Sequence, residues 1–296
     1  MNKGLKDMHP SIILAAEDST AYPKVTASVE EGGLGFDYKW DMGWMNDALE
    51  YFKIHPYDRR REYHKLTFSM MYFYSEKFLM PLSHDEVVHG KATIIQKMYG
   101  NSYEEKFKQA RALYMYMYAH PGKKLNFMGN EIAQFREWDE KREQDWNILE
   151  YPMHNKFHRF MRDLNLVYIN HPALFKDDYK HEGFNWIDCH QEEKCIYTFE
   201  RMGENENIIA IFNFSDEYHE EYEIPMEYNT LEVLMDSSIN EYGGDGKTNY
   251  RILIEEYIKY YEGGNKNDAN SIISSHKKRL ISVDMKPYSA VYFILK

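Results

Sequence analysis

Five consecutive apolar residues, Phe78-Leu79-Met80-Pro81-Leu82, run directly into Ser83-His84-Asp85-Glu86-Val87-Val88-His89-Gly90-Lys91. The apolar run reads as a short buried strand, and the segment beyond the charged cluster has the amphipathic spacing of a helix. This order places the charges at the C-terminal lip of a strand, where open sheets and eight-stranded barrels alike collect ligands and catalytic side chains. Two carboxylates and two imidazoles within six residues exceed what a solvated loop needs, although a surface turn with Asp and Glu facing water is the plain alternative. A second juncture of the same kind shifts the balance. Ala15-Ala16-Glu17-Asp18-Ser19-Thr20 follows the strand-like run Ser11-Ile12-Ile13-Leu14, so two strand ends each present a carboxylate.

The rest of the first 170 residues keeps this grammar. Gly32-Gly33-Leu34-Gly35-Phe36-Asp37-Tyr38-Lys39-Trp40 is a glycine-rich approach into another strand, and Met45 to Phe52 is a helix with Met45, Leu49 and Phe52 on one side. Pro56 ends that element, and Arg61 to Tyr74 carries a second helical pattern. Ser102 with Glu105 three residues on makes a capping box for a helix reaching Tyr118, whose last turns are apolar on nearly every face and so should be deeply packed. Leu125 to Glu131 reads as a fourth strand with a polar end, and Asn155 to Tyr168 as a further helix. Strands alternating with helices, each strand ending in polar residues, imply a parallel sheet.

After Pro172 the pattern changes to short alternating stretches separated by turn residues: 183–187, 195–199, 208–213 and 290–294. These predict an antiparallel domain, a sandwich. Between Asp236 and Ser275 the signal is poor, with glycine pairs at 243–244 and 263–264 flanking a candidate helix from Asn249 to Tyr261; this reads as a surface insertion. The organisation expected is 1–176 for the strand-helix part and 177–296 for the β domain.

Composition narrows the chemistry. A formal net charge of -12 leaves no basic stripe to neutralise phosphates, which argues against nucleic acid. The aromatic fraction of 16% is high and dominated by Tyr; flat rings with a polar rim suit sugar faces, although most will be packing. Two cysteines, Cys189 and Cys195, lie close together in one hairpin and cannot build a disulfide framework, so a reduced, cytoplasmic protein is expected. No run is long and apolar enough to span a bilayer, the N-terminus has no signal-peptide core, and neither membrane, metal nor cofactor is expected.

The motifs Ala16-Glu17-Asp18-Ser19-Thr20, Gly33 to Trp40, Leu82 to Lys91 and Phe127-Met128-Gly129-Asn130-Glu131 occur in that order, followed by Arg136-Glu137-Trp138 and Asp145-Trp146. Together they closely resemble the second half of the glycogen branching enzymes, 1,4-alpha-glucan enzymes of the alpha-amylase superfamily. The resemblance runs essentially from end to end and is weakest between 236 and 275. The string Asp85-Glu86-Val87-Val88-His89-Gly90-Lys91 is specific to branching enzymes within that superfamily and argues against a hydrolase. It implies the last four strands of a (β/α)8 barrel followed by a C-terminal antiparallel β domain, acting on alpha-1,4-glucan.

The resemblance also implies roles. Glu17 matches the general acid/base, Asp85 the carboxylate that holds the ring hydroxyls as an oxocarbenium-like transition state forms, and His84 its hydrogen-bonding neighbour. From the residues alone, Glu17 is equally a helix-start carboxylate with Ser19 or Thr20 as cap. Trp40 and Trp44 are candidates for stacking on glucose rings, Asn130 and Glu131 for lining the acceptor side, and His89 and Lys91 for holding the loop in place. Retaining chemistry needs a second carboxylate roughly 5 Å from the acid, and in this family it lies in a Gly-Phe-Arg-x-Asp-Ala stretch. This chain has no such stretch. Inactivity alone is therefore expected, with a separate N-terminal half or self-association as the remedy, and a catalytically silent glucan-binding fragment as the alternative.

Overall fold

The computed structural model describes residues 1–226, 230–261 and 272–295. A short helix α1 (Asn2–Met8) precedes β1 (Ala15–Ala16) and β2 (Tyr38–Trp40), and α2 (Met42–Lys53) leads towards β3 (Phe78–Leu82). After β3 come α3 (Ile94–Lys97), α4 (Tyr103–Ala119), β4 (Lys123–Asn126) and α5 (Pro152–Asn170). The four strands form one parallel sheet in the order β1-β2-β3-β4. The helices start where local chemistry lets them. Asp41 accepts the Trp44 N–H at 2.9 Å, Ser102 accepts the Glu105 N–H at 3.2 Å, and Pro152 opens α5 at a position needing no N–H donor.

Phe78, Met80 and Leu82 of β3 share a core with α2 and α4, whereas Leu79 does not belong to it. Every residue of α4 from Gln109 to Ala119 is buried, as its apolar sequence anticipates. Full burial of side chains such as Leu113, Met115 and Met117 is worth roughly 1.5–3 kcal/mol each.

The second part contains β5 (Phe184–Gln191), β6 (Ile196–Met202), β7 (Asn207–Asn213), β8 (His219–Met226), β9 (Leu231–Asp236), β10 (Tyr250–Tyr261), β11 (Ile272–Met285) and β12 (Ser289–Leu295). One sheet runs β5-β6-β7-β12-β9 and the other β10-β11-β8, all antiparallel. Ile209, Ile211, Val291 and Phe293 meet Tyr222, Ile224, Ile281 and Val283 between the sheets. The opposite face of the larger sheet, with Ile208, Ala210, Phe212 and Tyr292, joins the core of the helices. A strand covered on both faces reads as a continuous apolar run, and β7 does so for that reason. Polar ties reinforce the junction: buried Arg201 donates to Ala119 O and Asp178 at 2.7 Å each, Arg111 to Ser237 O at 2.9 Å, and Arg59 to Phe214 O at 2.7 Å. Both cysteines are free. Among the described residues no helix is long and apolar enough to cross a membrane.

Several expectations need correction. The first strand is Ala15–Ala16 and not the buried run Ser11–Leu14; Ile13 lies before the strand, outside the sheet, and is 69% exposed. Arg61 to Tyr74 is not one helix but falls within three 3-10 segments, Pro56–Lys65, Phe68–Met71 and Phe73–Ser75. Distant anchors hold this tighter winding, with the Tyr63 hydroxyl donating to Ile196 O at 2.7 Å and the Tyr116 hydroxyl donating to Leu66 O. The fourth strand ends at Asn126, and left-handed Gly129 turns the chain into the short Asn130–Ile132 helix. The expected helix from Asn249 to Tyr261 is instead strand β10 over Tyr250–Tyr261, which pairs with β11 over twelve registers, and its Tyr and Ile content suits a strand once that partner exists. The glycine pair at 263–264 lies outside the described residues.

Candidate active site

At the end of β3 the Ser83 N–H and hydroxyl both donate to the Glu86 carboxylate, at 2.6 and 2.7 Å. This closes a tight turn over His84–Val87 and ties Oε2 of Glu86, which is buried, into the turn. His84 and Asp85 are thereby turned outward, with His84 Nε2 3.3 Å from Asp85 Oδ1 and each side chain 43% exposed. The His84 ring stands against Phe127 and edge-on to Trp138, with centroids 5.8 and 6.3 Å away. His84, Asp85, Val88 and His89 face residues 136–140 and Arg142 across a cavity of about 460 Å³. Arg136, which grips Asp145 through contacts of 2.9–3.1 Å, steadies the far wall.

Strand register decides which side chains can reach one ligand. Ala16 lies opposite Lys39 and Lys39 opposite Phe78, which faces the helices. Tyr38 and Trp40 therefore project to the other face with Leu79, and the same alternation carries Glu17 there. Glu17 is exposed just beyond β1, and β2 lies between β1 and β3, whose end is followed by the turn that carries Asp85. By the register, Glu17 is level with Leu79, whereas β3 runs on to Leu82 and Asp85 follows three residues later, so the two carboxylates are offset along the strands as well as across them. Glu17 does not line the cavity at Asp85.

The other candidates separate. Trp40 is half-buried and borders a cavity of about 500 Å³ with Asp18, Tyr22, Phe68 and Tyr72. Trp44 is 1% exposed and stacks on Tyr116, with planes 17° apart. Packed inside α2, it cannot meet a sugar, and its candidacy is corrected to core. Asn130 is also buried, donating to Asn126 Oδ1 at 3.1 Å and Leu82 O at 3.4 Å; it ties the turn to β3 and has no exposed amide to offer, while Glu131 remains half-exposed. His89 and Lys91 sit exposed on the loop.

Sequence reasoning passed over three buried ionisable groups. Asp41 is 1% exposed, bonded to the Tyr72 hydroxyl at 2.7 Å, and burial pushes its carboxyl up to about 6. Its place one residue before a helix was the available signal. Lys97 donates to the carbonyls of Glu86 and Ala92, and burial pushes it down to about 8. Buried Lys39 pairs with Asp18 at 3.0 Å, holding that carboxyl below its ordinary range with help from the Thr20 N–H. Among the described residues no group of three or more His, Cys, Asp or Glu side chains is placed to hold a metal ion.

The family described as alpha amylase, C-terminal all-beta domain matches residues 186–296. The chain is 47% identical over 244 residues to the 1,4-alpha-glucan branching enzyme of Bacillus cytotoxicus, covering 81% of this chain and 38% of that one. It is 44% identical over 252 residues to the enzyme of the same name from Oceanobacillus iheyensis, covering 84% and 39%. The chain thus spans about two fifths of the length of these curated relatives. Solved alpha-amylases from H. orenii and Anoxybacillus superpose with TM-scores of 0.57 and 0.59, at 13% and 15% identity, covering 100% and 99% of this chain and 55% and 54% of theirs. At that identity they speak for the fold alone, a partial barrel with its β domain.

Proposed function

The chain belongs to the 1,4-alpha-glucan branching enzyme family, and from that premise we propose that it is the C-terminal portion of such an enzyme. In this reading residues 1–176 contribute the second half of the (β/α)8 barrel and 177–296 the β domain. The reaction transfers a 1,4-linked glucan segment to a 6-hydroxyl, making an alpha-1,6 branch. Glu17 protonates the glycosidic oxygen and later takes the proton of the acceptor hydroxyl, a role generally worth on the order of 10²–10⁴ in rate. Asp85, steadied by His84, holds ring hydroxyls whose hydrogen bonds tighten in the transition state. The observation that carries the reading is the outward pair His84 and Asp85 at 3.3 Å on the lip of β3, in the same parallel sheet as β1, which Glu17 follows, with β2 between.

The carboxylate that would form the covalent glycosyl intermediate is not supplied by any Gly-Phe-Arg-x-Asp-Ala stretch in this sequence. We therefore expect no branching by this polypeptide alone. The first barrel strands, on the same polypeptide or another, are what this reading requires beside these residues. Two free thiols fit a reduced, cytoplasmic setting, and the net charge of -12 fits a neutral substrate. The missing stretch also favours a second reading, a catalytically silent glucan-binding fragment.

The test is the fall in iodine absorbance of amylose together with new 1,6-linkages by NMR. The pure chain should give neither, and addition of a separately produced first half of a relative should restore both. Product from the pure chain overturns the expected inactivity; no product from the mixture, with complex formation verified, favours the silent fragment.

A further inference from the structure

The loop after Asp85 is held in a shape its residues do not choose by themselves. His89, Gly90 and Ala92 have φ of 58°, 78° and 66°, and only glycine takes up this left-handed region without crowding its Cβ. Such conformations persist where the surroundings over-determine them. Here the surroundings are specific. Glu137 accepts the Gly90 N–H through Oε2 at 2.8 Å and the Ala92 N–H through Oε1 at 2.7 Å. Its neighbour Trp138 donates its backbone N–H to Val87 O at 3.0 Å. Below, Lys97 fastens the carbonyls of Glu86 and Ala92.

We infer that Glu137 is a positioning residue for the Asp85 site: its two-pronged carboxylate holds the His89–Ala92 loop as a wall of the cavity and thereby sets how tightly a glucan chain is held across Asp85. This rests on the reading of Asp85 as a sugar-holding carboxylate. An ionised acceptor binding two backbone N–H groups makes bonds roughly twice as strong as neutral ones. The two hydrogen bonds from Gly90 and Ala92 keep Glu137 ionised, below the ordinary carboxylate range. Gly90 lies at an exposed tip, so without the clamp its N–H turns to water and only the bonds of Lys97 to Ala92 O and of the Lys91 N–H to Val88 O still oppose relaxation of the strained residues. The two-residue unit Glu137-Trp138 then does two things at once. Glu137 fixes one wall, and the Trp138 ring meets His84 edge-on.

The test is hydrogen exchange by mass spectrometry on the intact chain, with and without maltoheptaose, for the wild type, Glu137→Ala, Glu137→Gln and Asp85→Ala. In Glu137→Ala the segment 88–93 should exchange about tenfold faster, with α4 unaffected, and about tenfold more maltoheptaose should be needed to protect 84–92. Glu137→Gln, which keeps the shape and one acceptor, should fall between and serves if the alanine variant misfolds. Asp85→Ala should lose protection by the sugar while the exchange of 88–93 stays as in the wild type. Unchanged exchange of 88–93 in both Glu137 variants overturns the clamp. Faster exchange with undiminished sugar protection overturns the positioning role. If maltoheptaose fails to protect 84–92 even in the wild type, the reading of Asp85 itself fails and the role falls with it, whatever the clamp does.

Discussion

Ser83 gives Glu86 both its backbone N–H and its hydroxyl, at 2.6 and 2.7 Å. Of the two adjacent acids at the lip of β3, this pairing takes Glu86 into the turn and leaves Asp85 facing the cavity. Ser83→Ala removes one donor to a buried carboxylate and the cap that accepts the Asp85 N–H. A loss of about 1–2 kcal/mol is expected, measured by urea denaturation.

The two tryptophans of the β2–α2 junction should respond oppositely. Trp44→Ala empties a core position and should cost about 3–5 kcal/mol. Trp40→Ala, at a half-buried position bordering the cavity of about 500 Å³, should cost far less stability and, if the proposed stacking holds, weaken maltoheptaose binding roughly tenfold. Denaturation midpoints and titration calorimetry distinguish them, and equal behaviour of the two variants contradicts the assignment.

Asp41 makes stability fall as pH rises. Its folded carboxyl is raised from 3.8 to about 6, so the native state binds more protons than the unfolded chain between those values. The penalty is absent below pH 4 and complete above pH 6, about 3 kcal/mol from a shift of about two pH units. Asp41→Asn keeps an acceptor for the Trp44 N–H and should be more stable than the wild type at pH 7.5, an advantage that disappears at pH 4.

His120 works with the opposite sign. Buried between the Ser69 hydroxyl at 2.9 Å and Pro121 O at 2.8 Å, its imidazole is pushed down to about 3 by burial. The unfolded chain then binds the extra proton, and stability is lost as pH falls from 6.5 towards 3. His120→Gln should flatten that acid limb of the stability profile, and a limb unchanged in the variant contradicts it.

Arg201 joins the two halves of the chain through Ala119 O, Gly183 O and Asp178. Burial works against ionisation of Asp178, yet Arg201, Lys124 and Lys123 hold it below the usual carboxylate range. Arg201→Met leaves Asp178 with Lys123 as its remaining ion-pair partner at 2.8 Å and removes the bonds to Ala119 O and Gly183 O, and should cost about 3 kcal/mol. Because one core runs from α4 into β7 and β12, calorimetry should still show a single transition, and two separated ones contradict that coupling.

What could be read from the residues was local. The apolar run Phe78–Leu82 is strand β3 to the residue, and Ser102 opens α4 as its spacing predicts. The lip motif His84-Asp85 falls outside its strand, and the change at Pro172 marks the passage from parallel to antiparallel pairing. The fate of Trp44 was not legible, because helical spacing gives a face but not what covers it. Nor was the strand in 250–261, whose partner β11 comes later in the chain beyond a connecting segment.

The sequence by itself determined strand β3, the start of α4 at Ser102, the change of pattern after Pro172 and which family the motifs belong to, since caps, turns and periodicity act over a few neighbouring residues. Tertiary structure alone decided that Glu86 is engaged while Asp85 is presented, that Trp44 is core while Trp40 is not, and that Glu137 reaches back 45 residues to Ala92. Those outcomes depend on register, on burial and on hydrogen-bond partners distant in the chain, and no local preference encodes them.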